Sequence, residues 1–383
     1  MEYTHNNKCD IVNKKNNICP KAIINIAAVK DNYLKILNFI EGKVICAAVV
    51  KNDAYGLGAQ KISVSLYETG CRDFFVAYMS EAINIRCVLP LDANIYFLQG
   101  FDGSYIEYIK SYSIIPVINS VSEFNNAKKN NIPMVLHVDT GLSRLGIRED
   151  DIDIIINDIK SEDVRYVISH LACSDEIENP FNKIQKENFD RILSKIRTYK
   201  KDIKAGISAS AGTLIGDDYL YDIVRIGAFL YGINPISSSS KSSIVPKNVL
   251  SLNSRILQKY ELDEDVSIGY GATYKTDRKT KIAVISIGYA DGIKRSLSNR
   301  GYVIFYDGKI QYKAKILGNI SMDLLVCDIT DIPDSITNVH DTAHILDDFY
   351  TINHMGCDAN VLSYEILTSI NFKSQRFDIE YII

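Results

Sequence analysis

The 383-residue sequence has no apolar run long enough to cross a membrane, no C-x-x-C pair and no excess of positive charge. The first absence excludes a helical membrane span. The second matters because eight cysteines are present, scattered at Cys9, Cys19, Cys46, Cys71, Cys87, Cys173, Cys327 and Cys357. Several lie inside apolar runs, where an unpaired thiol behaves as a small hydrophobe. That distribution points to a reducing cytoplasm, not to a disulfide framework. A net charge of −4 argues against a general nucleic-acid binder. The N-terminus lacks a hydrophobic signal core and is rich in Asn and Lys, so residues 1–20 read as a flexible tail. Metal and phosphate signatures are incomplete. His340 and His344 have helical ligand spacing, but Asp341-Thr342-Ala343 lacks a metalloprotease glutamate, no helix pattern surrounds them, and His354 adds no motif. No metal is expected. Gly100-Phe101-Asp102-Gly103 has no phosphate-loop pattern.

What is there suits two domains, with 46% apolar and 23% charged residues, as in globular proteins. Residues 21–27 read as an opening extended segment, and residues 29–40 have helical spacing. Eight apolar, strand-like runs follow, near residues 44–49, 74–78, 95–99, 114–118, 134–138, 165–169, 204–208 and 222–226. Amphipathic or charged stretches separate most of them. Strands alternating with helices over roughly 200–250 residues suit a (β/α)8 TIM-type barrel. The polar run at residues 237–243 is a domain boundary. Beyond it, runs at 250–261, 266–274, 281–287, 301–306, 310–317 and 324–329 read as strands, then a helix at 361–370 and a terminal strand. The expected domains are a tail at 1–20, an α/β barrel at 21–245 and a mostly β domain at 246–383.

Lys51 ends the first of the eight runs. At the C-terminal end of a parallel-barrel strand it would sit on the catalytic face. A lysine partly shielded from water loses pKa and becomes a nucleophilic amine. Taken alone, such a lysine is more often one that reaches solvent. The whole string Ala48-Val49-Val50-Lys51-Asn52-Asp53-Ala54-Tyr55-Gly56-Leu57-Gly58 resembles the pyridoxal-phosphate lysine motif of bacterial alanine racemases. That resemblance implies that Lys51 forms the cofactor aldimine and that Tyr55 contacts its phosphate.

Other segments carry the same resemblance. Asp139-Thr140-Gly141-Leu142-Ser143-Arg144-Leu145-Gly146 follows a strand, and an arginine in a glycine-bracketed loop can hold a carboxylate or phenolate bidentately. The family likeness gives Arg144 both the substrate carboxylate and the phenolic oxygen of the cofactor. Ser169-His170-Leu171-Ala172 resembles the family segment whose histidine stacks on the cofactor ring. Small residues at strand–helix junctions suit a phosphate, and the resemblance assigns Ser210, Gly227 and Ala228 to it. Arg225 matches the arginine facing the pyridine nitrogen. An arginine does not readily give up its proton, which disfavours deep delocalisation and favours returning a proton to carbon. Gly269-Tyr270-Gly271-Ala272-Thr273-Tyr274 resembles the segment whose first tyrosine is the second base. Ile287-Gly288-Tyr289-Ala290-Asp291-Gly292 and Gly318-Asn319-Ile320-Ser321-Met322-Asp323 resemble two further signatures. They place Tyr289 and Arg295 around the site or its entrance, and Met322 and Asp323 against the substrate of a partner subunit.

The likeness spans about residues 21–377. Several supporting positions depart from the family. His137 stands where many members carry a lysine, often carbamylated, so Arg144 must be positioned differently. Gly206 and Ala209 replace a His and an Asn, Ser321 replaces a Cys, and Phe372 replaces a Tyr of some members. The resemblance implies a cytoplasmic, homodimeric amino-acid racemase with composite sites, acting on L- and D-alanine through Lys51 and Tyr270. Three alternatives stay open: a racemase of serine or another small amino acid, a decarboxylase of the same fold, and a non-catalytic cofactor-binding protein.

Overall fold

The computed structural model describes residues 20–237, 244–370, 372 and 376–383. The expected tail, apart from Pro20, and most of the polar boundary run lie outside these described residues. The chain divides into two compact units, Ile26–Lys247 and a second built from Met1–Asn25 with Asn248–Ile383. Among the described residues no helix is long and apolar enough to cross a membrane.

The first unit is a barrel of eight parallel strands: Ile45–Val49, Asp73–Val76, Asn94–Phe97, Ile114–Ile118, Met134–His137, Val164–Ile168, Lys204–Gly206 and Ile223–Ile226. They are named below by this order. The first strand pairs with both the second and the eighth, for example Ala48 with Phe74 and with Ile226. Closure between the seventh and eighth uses few bonds: Asp222 N donates to Ala205 O at 2.9 Å and Arg225 N to Ser208 O at 3.0 Å. Gly206 permits this approach, because a Cβ there would lie 2.4 Å from Ile223 O. The strands are buried along nearly their whole length, as parallel strands covered by helices must be. They therefore read as continuous apolar runs.

In the second unit the long strand Leu250–Leu262 is central. It pairs with Lys21–Asn25, Thr342–Leu346 and Thr280–Ile285, with a register shift between Ile256 and Gln258. Asp378–Ile382 adds in parallel to Lys21–Asn25. The opening segment, expected in the barrel domain, thus belongs to the second unit, and the barrel unit begins at Ile26. One further expectation changes. Residues 266–274 are not one strand: Ser267–Ile268 and Tyr274–Lys275 pair across a short 3-10 turn, Tyr270–Ala272. Positive φ at Gly269, Gly271 and Ala272 forbids an extended chain there. Thr342–Leu346 is a strand that carries His344, while His340 precedes it, so the two histidines do not share a helix face.

Candidate active site

The chain leaves each barrel strand at one rim, and the polar residues of interest follow those exits in order. Lys51 comes two residues after the first strand. Its amine is half-buried, and burial, aided by the nearby Arg144 guanidinium, pulls its pKa down, against the carboxylate of Glu81. Residues 52–55 then turn left-handed, with φ of 51, 55, 54 and 58°. For L-residues this costs roughly 1–2 kcal/mol each. The turn returns the chain so that the Tyr55 ring packs on Tyr231, centroids 4.7 Å apart. Tyr231 in turn donates to Val49 O at 2.8 Å.

Tyr55 reaches the exit of the eighth strand. A Cβ on Gly227 would stand 2.7 Å from its hydroxyl oxygen and 3.2 Å from Val49 Cβ. Only glycine leaves this cradle open. The Gly227 amide donates to Ser210 Oγ at 3.0 Å, and Phe229 N approaches the same oxygen at 3.4 Å. Hydroxyls of Tyr55 and Ser210 and the amides around Ala228 therefore gather at one place.

Arg225 is buried beneath. Its guanidinium donates to Ser169 O at 2.5 Å, Gly206 O at 3.2 Å and Ile207 O at 3.4 Å. Desolvation pulls its pKa down to about 10, so it remains cationic at neutral pH. The carbonyl of Gly206 is thus one of three that hold the Arg225 guanidinium.

His137 and His170 complete the ring. Burial pulls His170 down to about 3 and His137 to about 4, with Arg225 and Arg144 adding in both cases. Lys51 and His137 also bear on His170, so four cationic or basic groups lie within electrostatic reach of that imidazole. The tautomer of His137 follows from its neighbour. Asn119 Nδ2 donates to Leu98 O at 3.2 Å and Val117 O at 3.1 Å, leaving Oδ1 as acceptor. His137 Nδ1 must therefore donate across the 2.8 Å contact to it, and Nε2 carries the lone pair.

Arg144 is exposed on the loop between the fifth strand and helix Glu149–Ile159, and among the described residues it makes no hydrogen bond or salt bridge. The loop itself is tightly held. Asp139 N donates to Ile147 O at 3.0 Å and Ile147 N to His137 O at 2.8 Å. Asp139 Oδ1 accepts from Gly141 N and Ser143 N. A Cβ on Gly146 would collide with Asp139 N at 2.6 Å. Below lies a buried polar network: Thr140 Oγ1 meets Ser169 Oγ at 2.8 Å, and Gln185 Nε2 reaches Thr140 Oγ1 and His170 O while its Oε1 accepts from Ala172 N.

Lys51, Tyr55, His137, Arg144, His170, Ser210, Arg225, Gly227 and Ala228 are thus all brought to one rim. Tyr270, Tyr289, Arg295, Met322 and Asp323 belong to the second unit. Tyr270 is 73% exposed there, and Asn319 Nδ2 holds its carbonyl at 2.7 Å. Tyr289 and Met322 lie on crossing loops, joined by Tyr289 N to Ser321 O at 3.1 Å and Ala290 N to Met322 O at 3.0 Å. A Cβ on Gly288 would lie 2.4 Å from both acceptor oxygens. Asp323 pairs with Arg376 at 2.7 Å, which also binds buried Asp291 at 2.6 Å. Arg295 is exposed at the start of the turn Arg295–Leu297. Sequence reading missed Glu81, Asn119 and Gln185. Gln185 left a signal, for it lies on the buried face of helix Pro180–Arg197 with Phe189 and Ile192, where a polar residue needs partners.

Comparison with known proteins agrees along the chain. The family model "Alanine racemase, N-terminal domain" matches residues 24–235, and "Alanine racemase, C-terminal domain" matches residues 249–378. Alanine racemase of Rickettsia rickettsii is 38% identical over 363 residues, 92% of this chain and 97% of that protein. The Brucella abortus alanine racemase is 34% identical over 376 residues, 92% of each. The crystal structure of alanine racemase from Bartonella henselae with covalently bound pyridoxal phosphate is similar at TM-score 0.86 and 33% identity, over 95% of this chain and 99% of that one.

Proposed function

Because this chain belongs to the alanine racemase family, we propose that it interconverts L- and D-alanine with pyridoxal 5'-phosphate as cofactor. The observation that carries the reading is the rim itself, where a lysine of lowered pKa follows the first strand and a cradle opened by Gly227 follows the eighth, its neighbour in the barrel. The donor set fits the cofactor: an amine for an aldehyde at one end, hydroxyls and amides for a phosphate at the other, and a buried cation between. Pyridoxal phosphate, when bound, supplies an electron sink that acidifies the α-hydrogen of an attached amino acid.

In this reading Lys51 anchors the cofactor, and Tyr55, Ser210, Gly227 and Ala228 hold its phosphate. Arg225 faces the ring nitrogen. Donating to three carbonyls and cationic at neutral pH, it does not readily give its proton to the ring nitrogen. That favours returning a proton to carbon over decarboxylation. His170, neutral through burial, lies beside the ring. Arg144, free of internal partners, binds the substrate carboxylate. Lys51 moves a proton at Nζ on one face and Tyr270 at Oη on the other. We place Tyr270, Met322 and Asp323 on the partner subunit's site in a homodimer, with Tyr289 and Arg295 near its entrance. The exposure of Tyr270 supports this assignment. The scattered cysteines, free among the described residues, support a cytoplasmic location.

The test is Lys51→Ala. It should remove both the visible absorbance of lysine-bound cofactor and racemisation, and a coloured, active variant would refute the assignment. Incubating the native enzyme with single L-amino acids in deuterated water ranks alanine against serine, because α-deuterium incorporation with loss of chirality reports the reaction directly. Carbon dioxide release would instead identify a decarboxylase, and bound cofactor without turnover a carrier.

A further inference from the structure

The turn after Lys51 is strained, and the strain has a specific counterweight. Residues 52–55 hold φ between 51 and 58° in succession. Asn and Asp tolerate this region, whereas Ala54 and Tyr55 meet the full steric penalty of their Cβ atoms. Bonds within the turn, such as Gly58 N to Asp53 O at 2.9 Å and Ala59 N to Asp53 Oδ1 at 2.8 Å, secure its far end. Its near end is secured from another element. Glu81 is the third residue of helix Met79–Arg86, beyond the second strand. One oxygen, Oε1, accepts from Asn52 N at 2.6 Å. The other, Oε2, accepts from Ala77 N at 2.8 Å and Tyr78 N at 3.2 Å. The carboxylate therefore staples the exit of the first strand to the exit of the second, and both of its oxygens must be acceptors.

We propose that Glu81 is a positioning residue for the cofactor site, clamping the left-handed turn that aims Lys51 and sets Tyr55 beside Gly227. The proposal rests on the reading of Lys51 and Tyr55 as cofactor ligands. Glu81 needs no contact with cofactor or substrate for this work. Its carboxylate cannot be replaced by an amide, because glutamine offers one acceptor and presents donors to the amides on the other side. Relief of strain should partly substitute for the clamp, since glycine adopts a left-handed conformation without the Cβ penalty.

The experiment compares the native chain, Glu81→Gln and the double variant Glu81→Gln with Ala54→Gly. Two measurements are made: amide hydrogen exchange across residues 50–60 in protein stripped of cofactor, and titration with pyridoxal phosphate followed by absorbance and circular dichroism of the bound cofactor. Glu81→Gln should speed exchange in that segment at least about tenfold while the barrel strands keep their protection, as loss of a charge-assisted bond predicts. It should weaken cofactor binding about 10- to 100-fold, with an altered dichroic signal. Adding Ala54→Gly should recover a substantial part of the affinity. Unchanged exchange and affinity in Glu81→Gln would overturn the clamp. So would exchange rising equally in all barrel strands, which marks a general scaffold role, or a double variant no better than the single. If the native chain itself fails to take up pyridoxal phosphate, the functional reading fails, and the exchange comparison still decides whether Glu81 holds the turn.

Discussion

His137 and His170 show how single side chains acquire a charge state from their surroundings. Both are held neutral, chiefly by burial, with folded values near 4 and 3 against an ordinary 6.5. In the unfolded chain they titrate near the ordinary value. Below about pH 6.5 the unfolded chain therefore binds protons that the native state refuses, and stability falls with pH until the folded values are reached. Above that range the contribution is fully present. At pH 5 each histidine should cost roughly 1–2 kcal/mol. Urea midpoints of cofactor-free protein at about pH 7.5 and 5.0 check this. His137→Gln, which can keep a donor toward Asn119, should shrink the difference between the two pH values by about 1 kcal/mol or more. An unchanged difference would mean that the fold does not shift the titration of His137, against the lowered value of about 4. The sequence marked His137 as a departure from its family but carried no sign of its tautomer. That depends on Asn119, whose orientation is set by the carbonyl of Val117 on its own strand and that of Leu98 at the exit of the neighbouring one, a relation visible only once the strands are side by side.

Among the elements, those that bury both faces were legible and those that depend on backbone sign were not. The barrel strands are continuous apolar runs, so all eight stood out. The turn at 52–55 did not, because Asn-Asp-Ala-Tyr carries no glycine where φ is positive, and Glu81, which holds it, lies in the next helix. The segment around Tyr270 read as a strand on its Ile, Thr and Tyr content, yet glycines at 269 and 271 turn it. Helix Ile352–Ala359 contains Gly, Asp and Asn, which weaken any helical signal, and Thr342–Leu346 hides behind a polar first residue and a histidine. Helix Pro180–Arg197 gives the test at this scale. Gln185 is fully buried and serves Ala172 N, His170 O and Thr140 Oγ1, fixing the loop that carries Arg144 and the segment that carries His170. Gln185→Leu preserves bulk but strands those groups, at about 1–3 kcal/mol for each left without a partner. Thermal unfolding should shift down by several degrees. In protein that remains folded, KM for alanine should rise more than kcat falls, because the displaced loop binds substrate. Equal KM in the variant would show that Arg144 is positioned without this network.

At the scale of the whole molecule, the two proposed bases belong to different compact units, Lys51 to Ile26–Lys247 and Tyr270 to the unit containing Asn248–Ile383. A barrel and a β domain in one chain do not by themselves say whether a given site draws both bases from one chain or from two. Subunit mixing decides it. In the proposed homodimer, the Lys51→Ala and Tyr270→Phe variants should each be inactive alone. If sites are composite, a hybrid dimer contains one site with both native bases and one with neither. Random reassortment of equal amounts makes half the dimers hybrids, each with one working site in two, so activity should return to about a quarter of the native value. If each chain instead completes its own site, every site in the hybrid lacks one base and no activity returns. Recovery should also require exchange of subunits, appearing only after mild dissociation and reassembly, and the same mixture held under conditions that prevent exchange should stay silent. Because neither substitution touches the partner's contribution to the restored site, KM in the hybrid should match that of the native enzyme while kcat per dimer falls to about half.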